Sequence, residues 1–288
     1  MRIKDKSVKE VEELVETALS VGINAFDLAD IYGRGRCEEL LGLVLKNRPD
    51  LREKMWIQSK CGIRIEEFTY FDFSKDYIIK SVDGILQRLK IDHLDSLLLH
   101  RPDALMESDQ VAEAFDLLYK QGKVRDFGVS NQNPMMMELL KKDVKQPLAV
   151  NQLQLSAAFT PGFESGFHVN MEDSQAAIRD GSIFEYCKLH DVVIQAWSVL
   201  QFGYFKGNFV GNEKFQALNQ VLDRLAIKYG VTSSTIAISW ILRYPAKMQA
   251  VVGTTNPKHL REVSQAANFS LTRKEWYEIY LAAGNDLP

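Results

Sequence analysis

The sequence predicts an α/β fold built on a parallel sheet, in one domain spanning residues 1–288. Three observations predict it. Short apolar strands alternate with amphipathic helices along almost the whole chain, the pattern of a parallel sheet with helical crossovers. The stretch Leu94 to Leu99 is a nearly unbroken apolar run, as expected of a strand covered on both faces. The chain's 288 residues, 46% of them hydrophobic and 25% charged, suit a single α/β barrel, a fold of roughly 250 residues.

Taken in order, Ser7 with Glu10 forms a capping box, and Val8, Val11, Leu14, Val15, Ala18 and Leu19 recur at helical spacing until Gly22. Asn24 to Asp27 reads as a strand, Cys37 to Asn47 as a helix, and Met55 to Ser59 as a strand delivering Lys60. Gly62 to Phe73 reads as a loop, and Ser74 is expected to cap the next helix. Leu94 to Leu99 delivers His100. A helix from about Ser108 ends at Gly122, Val124 to Val129 is a strand emerging as Ser130-Asn131, and Pro134 opens the next helix where a missing N–H costs little. Leu148 to Val150 leads to Asn151-Gln152. The rhythm then lapses from 153 to 182, a length that suggests a binding lid or disorder. It resumes with a helix from Ile183, a strand Val192 to Ala196 ending at Trp197-Ser198, helices over Phe215 to Ala226 and Thr235 to Leu242, a last strand Ala250 to Val252, and a helix capped by Thr272 with Glu275. Seven strands are legible where a closed barrel of this type has eight, and only six residues precede Ser7. The expectation is therefore a first strand that is missing, truncated or further upstream.

Composition narrows the function. A net charge of -3 with no basic stripe gives no general attraction to nucleic acid or to an anionic membrane. Cys37, Cys61 and Cys187 are scattered without metal-like spacing, which suits a reducing compartment, and the cytoplasm is expected. No apolar run approaches the ~20 residues that span a bilayer.

Asp27, Lys60, His100, Ser130, Gln152, Trp197 and Thr254 all fall at the C-terminal ends of expected strands, the face on which barrel active sites are built. Tyr32 follows Asp27 by five residues. A free tyrosine titrates near ~10, so it serves as an acid at neutral pH only if a cation stabilises its phenolate. Lys60 is the available cation and Asp27 its counter-ion, while His100 suits a carbonyl oxygen. Hydride must come from a cofactor, since side chains do not carry it. The chain lacks a G-x-G-x-x-G fingerprint, so a nicotinamide would bind otherwise than in doubly wound dehydrogenases. Ser130, Asn131 and Gln152 suit its carboxamide and Trp197 its flat ring. Cys61 is expected to be a bystander thiol.

Over nearly its whole length the chain resembles the aldo-keto reductases. The resemblance rests on Phe26-Asp27-Leu28-Ala29-Asp30-Ile31-Tyr32-Gly33, Ser59-Lys60-Cys61-Gly62, Leu99-His100-Arg101-Pro102-Asp103, Gly122-Lys123-Val124-Arg125, Phe127-Gly128-Val129-Ser130-Asn131 and Asn151-Gln152. It implies a (β/α)8 TIM barrel and NAD(P)H-dependent reduction of a small aldehyde or ketone. By the family's motif Tyr32 is the proton donor, Lys60 and Asp27 tune it, and His100 orients the substrate. The cofactor would be held by Ser130, Asn131, Gln152, Trp197, Ser198 and Leu200, and further along by Gly253, Thr254, Thr255, Lys258, His259, Arg261 and Glu262. The chain departs from the pattern at Val199, where many members carry Pro, and at His259, where many place an Arg for the 2'-phosphate. Lys258 and Arg261 can compensate, so NADP(H) is favoured over NAD(H).

Two alternatives remain. A Schiff-base lyase on Lys60 is opposed by Asp27, which keeps the amine protonated. A non-catalytic or impaired NADP(H)-binding barrel is kept open by the missing strand.

Overall fold

The computed structural model describes residues 1–67, 69–163, 181–203 and 206–285. The chain divides into two units, Met1–Asn151 with Thr255–Pro257, and Gln152–Thr254 with Lys258–Pro288.

In the first unit, α1 spans Val8–Ser20 and its capping box is formed as expected, Ser7 accepting from the Glu10 N–H and the Glu10 carboxylate accepting from the Ser7 N–H. β1 (Ala25–Asp27) is followed by α2 (Arg36–Asn47) and β2 (Trp56–Cys61). β2 runs further than expected, so Lys60 lies within the strand. The expected loop 62–73 contains a small antiparallel hairpin, β3 (Ile63–Ile65) with β4 (Thr69–Phe71). Three-residue strands are too short for a periodic signal, and cross-strand pairing decides them.

α3 covers Lys75–Leu89, and Ser74 stands at its N-cap without a side-chain cap bond. Its own N–H donates instead to Asp72 Oδ1 at 2.9 Å. β5 (Leu94–Leu99), buried along its whole length, precedes α4 (Ser108–Lys120), β6 (Val124–Ser130) and α5 (Pro134–Lys141). Asn133 caps α5 by accepting from the Met136 N–H at 2.9 Å. β7 (Leu148–Gln154) begins in this unit and ends in the second, so Asn151 and Gln152 lie inside a strand rather than after it.

β1 pairs with β2, β2 with β5 and β5 with β6, all parallel, with Asp27 opposite Gln58, Lys60 opposite Leu98, and Leu98 opposite Gly128. The core between helices and strands is apolar, with Val11, Val15, Leu41, Val44, Ile78, Val82 and Ile85 all buried. Gly42 permits a close approach of α2 to α3: a Cβ there would lie 2.1 Å from the Arg88 carbonyl oxygen.

The second unit holds α6 (Ile183–Leu189), β8 (Val193–Trp197), α7 (Gln216–Tyr229), α8 (Ser233–Leu242), β9 (Met248–Ala250), most of α9 (Pro257–Ser264) and α10 (Arg273–Ala282). β8 and β9 are parallel. β9 ends two residues earlier than expected, although the Val251 N–H still bonds to the Ala196 carbonyl at 2.8 Å. Trp240 and Trp276 stack at 4.9 Å and each donates its indole N–H to the other's carbonyl at 3.0 Å. Thr272 and Glu275 form the expected capping box. Most of the expected lid, 164–180, lies outside the described residues. No single helix among the described residues is long and apolar enough to cross a membrane.

Candidate active site

The first unit brings Asp27, Lys60, His100 and Tyr32 together. Asp27 closes β1 and Lys60 is the penultimate residue of β2, while His100 directly follows β5. Tyr32 is set by the turn after β1, where its N–H donates to the Ala29 carbonyl at 3.0 Å and its carbonyl accepts from the Cys37 N–H at 3.3 Å. The Lys60 side chain is fully buried. Its ammonium donates to Asp27 Oδ1 and Oδ2 at 2.7 and 2.8 Å and to the Leu28 carbonyl at 2.6 Å. It also lies 5.1 Å from the centroid of the Tyr32 ring, which His100 meets edge-on at 5.8 Å.

Electrostatics follow from this packing. Burial alone would strip the proton from Lys60, but Asp27 and then Tyr32 overcome it and hold the amine above its ordinary value. Burial opposes the charge on Asp27 too, yet Lys60 keeps it below the usual carboxylate value. His100 is pushed down to about 3 by burial and by the charge on Lys60, so it is neutral at physiological pH. A neutral imidazole can donate one hydrogen bond to an incoming oxygen without competing for the proton. Burial pushes the Cys61 thiol well above its usual value, which makes it a poor nucleophile.

Two features escaped sequence reasoning. Gln58 donates to Asp27 Oδ1 at 2.7 Å. Strand alternation carries the signal, since Gln58 stands two residues before Lys60 and shares its face. Glu38 is fully buried on α2, accepting from Ser59 Oγ at 2.6 Å and Arg88 Nε at 2.7 Å. Beside it, burial and then Glu38 raise Asp30 to about 7. Nothing in the local pattern marks a Glu in a helix as buried.

Of the residues expected to bind a cofactor, the first unit holds Ser130, Asn131 and Thr255. Ser130 is buried at the end of β6, and Asn131, in the left-handed region at φ 57°, donates its amide to Ser130 Oγ at 2.8 Å. The rest belong to the second unit. Gln152 is buried and donates to Gln195 Oε1 at 3.0 Å, and Gln195 donates in turn to Gln249 Oε1 at 2.9 Å. Trp197 closes β8 and Ser198 and Leu200 follow it, all three half-buried, with Ser198 at φ 54°. Gly253 is exposed and Thr254 half-buried. Around the start of α9, Lys258, His259 and Arg261 are exposed, and Lys258 lies 3.9 Å from Glu262.

The Aldo/keto reductase family profile matches residues 1–282. The chain belongs to the aldo-keto reductase family. This aldo-keto reductase is 35% identical to the oxidoreductase YdhF of Escherichia coli K12, over 98% of its own length and 90% of the relative's. It is 33% identical to a 6-dehydroglucose reductase of Agrobacterium fabrum, over 98% and 91% of the two chains. Among solved structures, an aldo-keto reductase from Klebsiella pneumoniae in complex with NADPH matches with a TM-score of 0.75 at 20% identity, covering 96% of this chain and 86% of that one. The fold is therefore the α/β barrel type of the aldo-keto reductases, and the family's oxidoreductase activity is the general one to which this chain belongs.

Proposed function

We propose that this aldo-keto reductase reduces the carbonyl group of a small aldehyde or ketone to an alcohol, using NADP(H), with Tyr32 as proton donor. The observation that carries the reading is the fully buried Lys60, held by Asp27 at 2.7 and 2.8 Å and lying 5.1 Å from the Tyr32 ring centroid. A bound nicotinamide dinucleotide supplies the hydride. The remaining work belongs to the chain. His100, neutral and edge-on to Tyr32, directs a hydrogen bond at the substrate oxygen and orients it. As negative charge develops there, the Tyr32 hydroxyl gives up its proton, and Lys60 stabilises the phenolate left behind. Asp27 keeps Lys60 protonated throughout. General-acid assistance of this kind is typically worth ~10² to 10⁴ in rate.

The residues fit the cofactor in both units. In the first, the Ser130 hydroxyl and Asn131 amide sit together at a strand end and match the donor and acceptor groups of a carboxamide. In the second, Gln152 has its amide orientation set by Gln195, Trp197 offers a flat face, and the exposed cations Lys258 and Arg261 suit a 2'-phosphate. The Agrobacterium relative acts on 6-dehydroglucose, so that compound belongs among the candidate substrates. The test is loss of NADPH absorbance with a panel of aldehydes and ketones that includes it. Tyr32→Phe is expected to abolish turnover while leaving NADPH affinity intact. Equal turnover in that variant removes Tyr32 from the role.

A further inference from the structure

Ser198 and Leu200, expected on the cofactor, lie in the connection between β8 and α7, and one side chain of α7 ties that connection to the helix. The Gln201 N–H closes a turn on the Ser198 carbonyl at 2.8 Å, and the Phe209 N–H donates to the Leu200 carbonyl at 3.0 Å. Gln201 also bridges to Asn208. The place of Leu200 therefore depends on the place of Phe209. From Phe209 the chain runs through two tight turns, the Asn212 N–H on the Phe209 carbonyl at 3.1 Å and the Phe215 N–H on the Asn212 carbonyl at 2.9 Å. Further bonds from Val210 N–H to Asn208 Oδ1 and from Lys214 N–H to Asn212 Oδ1 are equally local. They shape the turns without fixing them to a neighbouring element. Asn219, one turn into α7, does that. Its Nδ2 donates to the carbonyls of Phe209 at 2.9 Å, Phe215 at 3.0 Å and Asn212 at 3.1 Å, and its Oδ1 accepts from the Gly211 N–H at 2.8 Å. Two amide protons are shared among three carbonyls, each of which has two lone pairs to offer. The Phe215 ring meets Phe202 at 5.0 Å and Phe209 at 6.3 Å, but apolar contact is non-directional and leaves the backbone register to the amide.

We propose that Asn219 is a positioning residue for cofactor binding: by gathering the backbone of Phe209, Gly211, Asn212 and Phe215 onto α7, it holds Leu200 and Ser198 in the place from which they meet a bound nicotinamide dinucleotide. This rests on the reading that puts Ser198 and Leu200 on the cofactor. Asn219 acts through Phe209, whose ring is fully buried and whose N–H holds Leu200. The physical effect is pre-organisation. A segment already in position pays no ordering cost when the ligand arrives, whereas one in position for only a fraction of the time binds with an affinity reduced by that fraction.

Two variants test it. Asn219→Leu keeps the volume and removes both donor and acceptor. Asn219→Asp keeps the acceptor for Gly211 but turns a carboxylate oxygen toward the three carbonyls. In each, the NADPH dissociation constant, read from quenching of protein fluorescence, should rise about tenfold, as expected if the connection holds its place about a tenth of the time. Tyr32, Lys60 and His100 keep their own contacts, so kcat at saturating NADPH and KM for the carbonyl should stay within about twofold of wild type. A variant that is merely less well folded shows the opposite split, a lower kcat with unchanged NADPH affinity in the folded fraction. Amide exchange followed by NMR gives a readout without cofactor: the Phe209 and Gly211 N–H groups should exchange faster in Asn219→Leu. If wild type binds NADPH and both variants bind it equally well, or lose only kcat, the assignment to Asn219 is wrong while the function stands. If wild type binds no NADPH, the cofactor reading fails and the assignment falls with it. Should Asn219→Leu fail to fold, wild-type NADPH affinity in Asn219→Asp overturns the proposal.

Discussion

Asp27→Asn isolates the charge on which the site depends. Asn keeps the shape and one oxygen acceptor but leaves the Lys60 ammonium, 0% exposed, without its counter-ion. Breaking a buried pair by removing one partner costs about 3 to 5 kcal/mol. The retained acceptor and the Leu28 carbonyl put this case toward about 3 kcal/mol, since part of the ammonium's hydrogen bonding survives. The pH dependence has a definite sign. Lys60 titrates higher folded than unfolded, so its contribution is whole below about 10 and disappears as pH rises through the folded value. Asp27 titrates lower folded than unfolded, so its contribution is present above about 4 and is lost as pH falls through the folded value. The deficit of Asp27→Asn should therefore be greatest between those limits and shrink on either side. Urea denaturation of both proteins across that range measures it. A deficit under about 1 kcal/mol at neutral pH would mean that the pair is solvated enough to contribute like a surface ion pair, and the account of Lys60 as a buried, held cation would fail.

Other perturbations test the surrounding packing. Asp30 has a buried Oδ1 without a hydrogen-bond partner and is raised to about 7, so its protonated form is favoured in the fold. That contribution is complete below about pH 4 and lost as pH rises through the folded value. Asp30→Asn, which mimics the neutral acid, should match wild type near the lower limit and exceed it by about 4 kcal/mol above pH 7, as seen in denaturation at two pH values; an equal difference at both refutes it. Gly42→Ala sets two effects against each other. Helix propensity favours Ala by about 1 kcal/mol. The added Cβ would meet the Arg88 carbonyl at 2.1 Å and Leu89 backbone atoms at 2.9 and 3.0 Å, none of which can swing aside. Overpacking of this kind typically costs about 1 to 3 kcal/mol or more. Thermal melting should show net destabilisation, and a stabilised variant would mean that α2 and α3 separate easily.

What the sequence determined by itself was local and periodic. The spacing of Val11, Leu14, Val15 and Ala18 specifies an amphipathic helix because successive turns of one helix bury the same face. The two capping boxes form because Ser7 with Glu10 and Thr272 with Glu275 lie within one turn of each other. The apolar run Leu94 to Leu99 specifies a buried strand, and the polar residues at strand ends marked Asp27, Lys60 and His100 as candidates. Tertiary structure decided whatever depends on a partner distant in the chain. The hairpin Ile63–Ile65 with Thr69–Phe71 requires cross-strand pairing that three residues cannot advertise. Ser74 forms no side-chain cap bond because Asp72, two residues earlier, engages both its N–H and its hydroxyl. Gln58 and Glu38 read as ordinary polar residues until β1 comes alongside β2 and Arg88 comes alongside α2, contacts that span 31 and 50 residues of sequence. A side chain's local neighbours set its helix or strand, but its charge state and donors are set by groups that only the folded chain brings within 3 Å.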